Sequence, residues 1–268
     1  MGTELEWLDD GGVTSPAGWQ AGGIFTGVKS YGEEPRLDLG ILASDAPCAV
    51  AGLFTRNAIV GPAVTLTRTR VQHGLAQALV VNSGNANTIT GEQGERDARR
   101  MGALLADRLG IAEEHALVGS TGVIGRPLPM ERIERGIADV TLSPDGGQEF
   151  SRAIMTTDTV SKHAAVRFTI DGRTYTVGGT AKGSGMIHPD MATCFCFLTT
   201  DARADARWLR STLKAVADVS LHMIDVDMDT STSDTMLLLA NGAAGGEPVD
   251  DSHHAAPALR AALEAVAI

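Results

Sequence analysis

The stretch Gly178-Gly-Thr-Ala-Lys-Gly-Ser-Gly185 puts four glycines into eight residues, and a His-Pro turn behind it leads into the apolar run Cys194-Phe-Cys-Phe-Leu198. It is the densest part of an excess that runs through the chain: 31 of 268 residues are glycine, against roughly 7% in an average protein. A chain of this kind must fold with many backbone positions at positive φ or in close approach to one another.

The remaining composition narrows the class. Hydrophobic residues make up 43% and charged residues 21%, which fits a packed globular protein of one large or two ordinary domains and excludes a disordered chain. The net charge of −11 argues against a phosphate-tracking nucleic-acid binder and against docking on an anionic membrane. The cysteines are Cys48, Cys194 and Cys196, an odd number with no secretory context, so a disulfide framework is not expected. Residues 1–10 are acidic and lack the apolar core of a signal peptide, and no run reaches the length of a membrane span. The expectation is a cytoplasmic protein.

Strands are predicted at residues 49–55, 63–67, 77–82, 115–120, 165–170, 174–178 and 194–199. The fifth and sixth flank Asp171-Gly172, the strongest short hairpin signal in the chain. Helical spacing is clear at 94–109, where Ala98, Met101, Leu104, Leu105 and Leu109 share a face. It recurs at 130–137, 148–155 and 207–221. From Pro257 a further amphipathic pattern, Leu259, Leu263 and Val266, runs to Ile268 without a glycine cap. The expectation drawn from it is a shortened chain that exposes this apolar face.

Few segments match a ligand motif. Asp225-Val-Asp-Met-Asp alternates carboxylates as an EF-hand loop does, but Thr230 and Met236 stand where the loop needs Gly and Glu. The alternation is better read as a strand with one acidic face. The seven histidines form no HExxH or paired CxxC pattern, so no metal is expected. In the glycine-rich stretch, Gly183 follows Lys182 where a phosphate loop has glycine before lysine. From spacing alone, an ordinary loop-to-strand junction is the simpler reading there, with Thr193 an incidental β-former.

Six segments in order resemble the ornithine acetyltransferase family, the bifunctional glutamate N-acetyltransferases: Gly11-Gly-Val-Thr-Ser-Pro16, Val81-Asn-Ser-Gly-Asn-Ala-Asn87, Ser120-Thr-Gly-Val-Ile-Gly125, Ala153-Ile-Met-Thr-Thr-Asp-Thr159, Lys182-Gly-Ser-Gly-Met-Ile-His-Pro-Asp-Met-Ala-Thr193, and Asp229-Thr-Ser-Thr-Ser-Asp234 with Leu239-Ala-Asn-Gly242. The resemblance implies an α+β fold, the four-layer αββα sandwich of self-processing aminopeptidases. It implies cleavage of the precursor at Ala192-Thr193, giving an α-chain of 1–192 and a β-chain beginning at 193, the two assembled as an α2β2 heterotetramer. Thr193 would then be an N-terminal nucleophile whose own α-amine serves as base. Thr121 and Gly122 would form the oxyanion hole, and Thr156, Lys182 and Thr193 would contact substrate, Lys182 as a point charge for an α-carboxylate. Asn82, Asn85 and Asn87 would brace loops near the site.

The implied reaction moves acetyl from N2-acetyl-L-ornithine to L-glutamate by a ping-pong route without a cofactor, and leaves acetyl-coenzyme A open as a further donor. Two alternatives stand beside it: a self-processing peptidase or amidase of the same fold, disfavoured because such proteins usually carry Ser where Thr193 stands, and a non-catalytic fragment that binds a small amino-acid ligand. The family's acidic C-terminal motif has no counterpart in these 268 residues.

Overall fold

The computed structural model describes residues 4–29, 36–188 and 194–268. Among them, nine strands form one mixed sheet: β1 (Glu6–Trp7), β2 (Trp19–Ile24), β3 (Leu39–Phe54), β4 (Leu75–Asn85), β5 (Ala116–Val123), β6 (Lys162–Ile170), β7 (Arg173–Lys182), β8 (Phe195–Thr200) and β9 (Thr235–Ala240). Their order is β1-β6-β7-β8-β9-β3-β4-β5, with β2 also paired to β3. The helices are α1 (Pro62–Val71), α2 (Gly91–Leu109), α3 (Met130–Asp139), α4 (Gly147–Ala153), α5 (Ala206–Asp218) and α6 (Ala256–Ala267).

The period-2 alternation of the strands divides the interior into three cores. On β4, Leu79 and Val81 face one core while Ala78 and Val80 face another that α2 and α3 cover with Met101, Leu105 and Ile133. On β8, Phe195 and Phe197 enter the first core, and Cys196 and Leu198, with Cys194 just before the strand, enter a third, covered by Leu209 and Leu213 of α5 and Leu259 and Leu263 of α6. Helices, two sheet layers and helices again are thus stacked around a strand-to-strand middle. The long β3 joins the two sheet layers: residues 39–43 pair with β2 and β4, a bulge interrupts the register between Ala43 and Cys48, and residues 49–54 pair with β9.

Three expectations are corrected. Residues 63–67 lie in α1: Pro62 starts the helix with its φ already set, and burial at Ala63, Val64, Thr67, Arg70 and Val71 follows the helical period. Residues 225–229 form a loop, because the apolar members of the alternation, Val226 and Met228, are themselves exposed and have no core to enter. The apolar face of α6 is covered, since Leu259 and Leu263 are fully buried and Val266 packs against the same core. The hairpin forms as expected, with Asp171 and Gly172 at φ +49° and +76° between β6 and β7.

Candidate active site

The ends of β5 and β7, the segment after α4 and the segment before β9 meet around a cleft of about 470 Å³. Four of the residues expected to act together line it: Thr121, Gly122, Thr156 and Lys182. Ala192 and Thr193 lie outside the described residues.

Thr121 and Gly122 close β5 in parallel register with Ser83 and Gly84 of β4. Gly122 has φ +126° and faces Gly84 at φ +125°, and a Cβ there would collide with the Gly84 carbonyl. Only glycine lets the two strands end this close together and turn the Thr121-Gly122 backbone into the cleft.

Lys182, the last residue of β7, is buried. Its Nζ donates to Thr121 Oγ1 at 2.7 Å and sits 5.1 Å from the centre of the Phe195 ring. Because the Thr121 oxygen accepts from a cation, its own proton is free to point at a third atom. Burial lowers the pKa of Lys182, and the nearby Asp158 and Asp234 act in the opposite direction.

Thr156 is placed by a carboxylate to which the sequence reading gave no role. Asp158 Oδ2 accepts the Thr156 N–H at 3.2 Å, and its Oδ1 accepts the Gly183 N–H at 2.7 Å and Lys162 Nζ at 2.6 Å. One buried side chain thereby ties the segment after α4 to the glycine-rich segment after β7. Burial alone would raise its pKa, but the bonds from Lys162, Gly183 and Thr156 outweigh it and hold the carboxyl below the usual range.

The far wall carries Ser231, Thr232 and Ser233. Behind them Asp234 is buried, with its carboxyl pushed up to about 8 by desolvation against the pull of Lys182. The Lys29 Nζ donates to the Leu37 carbonyl at 2.8 Å, and burial lowers its pKa to about 8. Asp158, Ser231, Ser233 and Asp234 all fall inside quoted motifs, so their position was visible but not their contacts.

The three asparagines make the bonds assigned to them. Asn82 Nδ2 donates to the Asn85 carbonyl, Asn85 Nδ2 to the Pro127 carbonyl and Asn87 Nδ2 to the Gly94 carbonyl, at 2.8–2.9 Å. Gly185 lies near Asp227, whose carboxylate accepts the N–H groups of Met186 and Ile187 and fixes the segment leading toward position 193. The described helices include none long and apolar enough to cross a membrane.

Residues 20–268 match the model of the ArgJ family. The chain belongs to the ArgJ family. It is 52% identical over 266 residues to the arginine biosynthesis bifunctional protein ArgJ of Symbiobacterium thermophilum, covering 98% of this chain and 66% of that protein. It is 42% identical to the Bacillus subtilis protein of the same name, covering 94% and 62%. The chain therefore spans about three fifths to two thirds of the length of these ArgJ relatives.

Among solved structures, ArgJ of Bacillus halodurans is 42% identical with a TM-score of 0.67, covering 71% of this chain and 99% of that one. An ornithine acetyltransferase from Mycobacterium tuberculosis, solved with ornithine, is 36% identical with a TM-score of 0.64, covering 70% and 99%. The L-aminopeptidase D-Ala-esterase/amidase of Ochrobactrum anthropi, described as a variant of the Ntn hydrolase fold, is 14% identical with a TM-score of 0.58 and covers 99% of this chain. That likeness is one of fold alone, and it agrees with the layered α+β architecture.

Proposed function

We propose that the cleft is the acyl-transfer site of a self-processing glutamate N-acetyltransferase that moves acetyl from N2-acetyl-L-ornithine to L-glutamate. The observation that carries this reading is the Lys182 Nζ to Thr121 Oγ1 bond at 2.7 Å, which joins a buried cation to a hydroxyl beside the Gly122 backbone. The cation suits the α-carboxylate that both amino acids carry. The polarised hydroxyl and the adjoining backbone suit the oxyanion of a tetrahedral intermediate.

The nucleophile in this reading is Thr193. In sequence it stands two residues before Phe195, the first residue of β8, whose ring lies under Lys182 Nζ. Before processing, Thr193 Oγ attacks the Ala192 carbonyl, the C–N bond between them breaks and the nitrogen takes the hydroxyl proton. Water then hydrolyses the ester, leaving a carboxylate on Ala192 and a free α-amine on Thr193. That amine, with an ordinary pKa near 7.7–8.0, accepts the hydroxyl proton in each later acetyl transfer.

A division into chains of 1–192 and 193 onward is supported by the two solved ArgJ-type chains. Each is matched over 99% of its length by 70–71% of this chain, and 71% of 268 residues is about 190, close to the residues that precede Thr193. Assembly as α2β2, residence in the cytoplasm and use of acetyl-coenzyme A as a second donor belong to the same proposal.

Mass spectrometry of the purified chain tests the processing step. Pieces of 192 and 76 residues, with an uncleaved Thr193→Ala variant and a cleaved Thr193→Ser variant, are expected; a Thr193→Ala chain that still cleaves overturns the choice of nucleophile. Incubation with N-acetylornithine tests the reaction. Ornithine release that depends on glutamate is expected, and release indifferent to glutamate means hydrolysis.

A further inference from the structure

The acidic loop Asp225-Val-Asp-Met-Asp229 takes no part in the acyl-transfer chemistry, yet one of its carboxylates grips the backbone of the glycine-rich segment. Asp227 Oδ2 accepts the Met186 N–H at 2.6 Å, and Oδ1 accepts the Ile187 N–H at 2.8 Å. The Val226 N–H returns a bond to the Ile187 carbonyl at 2.9 Å. Two successive amides closing on one carboxylate form an anion nest. These bonds hold the Asp227 carboxyl below the usual carboxylate range although the residue is exposed.

The grip sets an unusual backbone. Met186 has φ +57°, a left-handed conformation that a long side chain adopts at a cost and keeps only where its surroundings impose it. The two oxygens of Asp227 supply that constraint. At its other end the same segment is held from the chain that follows α4. The Gly183 N–H donates to Asp158 Oδ1 at 2.7 Å, and the Ser184 and Thr157 hydroxyls bond at 2.5 Å. Residues 183–187 are thus suspended between two carboxylates from separate parts of the chain.

Downstream, the Cys194 carbonyl accepts the Thr235 N–H at 3.2 Å and Phe195 pairs with Lys182. In sequence, the Ala192-Thr193 bond falls between these held points, Ile187 and Cys194. Fixing both ends of a short stretch cuts the number of conformations it must search to bring a hydroxyl onto the preceding carbonyl. We infer that Asp227 is a positioning residue for self-processing: by holding Met186 and Ile187 it presets the entry of the chain into the scissile stretch, and cleavage slows when the grip is lost. This rests on the self-processing part of the acyl-transfer reading. Asp227 forms no bond to the reacting atoms and exchanges no proton; those changes stay within Ala192, Thr193 and water.

The rate at which newly made chain cleaves is the test. Cell-free synthesis with labelled methionine, stopped and chased, follows conversion of the 268-residue chain into pieces of 192 and 76 residues. Asp227→Ala offers no acceptor, and Asp227→Asn offers one oxygen while turning its NH2 toward the other amide. Both are expected to cleave about tenfold more slowly, the effect of having to order one more backbone residue. Asp229→Asn removes the same charge from the same loop and should cleave at the wild-type rate. In the Thr193→Ala background, where every chain stays whole, the Asp227 variants should keep a Tm within a few degrees of their parent, since the side chain is exposed.

Asp227 variants that cleave at the wild-type rate overturn the inference. So does an equal slowing in Asp229→Asn, which assigns the effect to charge. A Tm that falls in step with the rate makes Asp227 a residue of global stability and overturns it too. A wild-type chain that does not cleave overturns the self-processing reading, and the inference with it.

Discussion

Replacing Asp158 by Asn keeps the shape of the side chain and removes what it does. The carboxylate accepts on both oxygens, from Lys162 and Gly183 on one and from Thr156 on the other. An amide has a single acceptor oxygen, so whichever way it turns, its NH2 faces a donor. The less costly rotamer keeps oxygen toward Gly183 and Lys162 and leaves the Thr156 N–H opposed. Losing a hydrogen bond to a charged group costs about 1.5–3 kcal/mol. The Lys162 bond adds little, about 0–1 kcal/mol, because that side chain is 45% exposed. The expected loss is then about 1.5–4 kcal/mol in urea unfolding at pH 7. The pH dependence gives an independent check. A carboxyl held below its usual pKa contributes stability that is complete above the unfolded value of about 3.9 and disappears as pH falls through the folded value. The gap between wild type and Asp158→Asn should therefore close below about pH 4. Because Thr156 lines the cleft, the variant should also raise KM for N-acetylornithine about tenfold, for some 1.4 kcal/mol of lost positioning. A loss under about 0.5 kcal/mol, or a gap that does not depend on pH, refutes the clamp.

Two further substitutions address the oxyanion side. Thr121→Val keeps the volume but leaves the buried Lys182 ammonium without its 2.7 Å acceptor, and acetyl transfer in a single-turnover assay should fall about 10²- to 10³-fold, with Thr121→Ser restoring most of it; an unimpaired Val variant removes the hydroxyl from the mechanism. Gly122→Ala places a methyl against the Gly84 backbone at φ +126°, where strain and overpacking together cost about 2–6 kcal/mol; a Tm within a few degrees of wild type contradicts the close approach of the two strand ends.

Local chemistry made some parts of the fold legible and hid others. The Asp171-Gly172 turn and the apolar face of α2 are decided by a few adjacent residues, so both are read directly from the sequence. By contrast, α1 is held by tertiary bonds: Thr67 Oγ1 donates to the Val118 carbonyl at 2.7 Å, and Arg70 reaches the Ala116 carbonyl and Glu113. Its run of Val and Thr therefore reads as strand until those partners are known. The strand β2 is hidden by Gly22 and Gly23, which lack side chains because the Thr141 and Glu149 backbones come in against them. In the site, Thr121, Gly122, Thr156 and Lys182 were found by resemblance, and their meeting in one cleft follows from the sheet order. Asp158 and Asp234 were quoted within motifs but given no role, since nothing in a Thr-Asp-Thr or Ser-Asp-Thr triplet shows which donors will surround a carboxyl.

That surrounding makes the two aspartates different groups. Both are buried, yet three donors hold the Asp158 carboxyl below the usual range, while desolvation pushes that of Asp234 up to about 8. An environment that drives two carboxyls apart in this way leaves Asp158 the charged clamp between the Thr156 and Gly183 segments and Asp234 a group pushed toward its neutral form behind the hydroxyls of Ser231, Thr232 and Ser233.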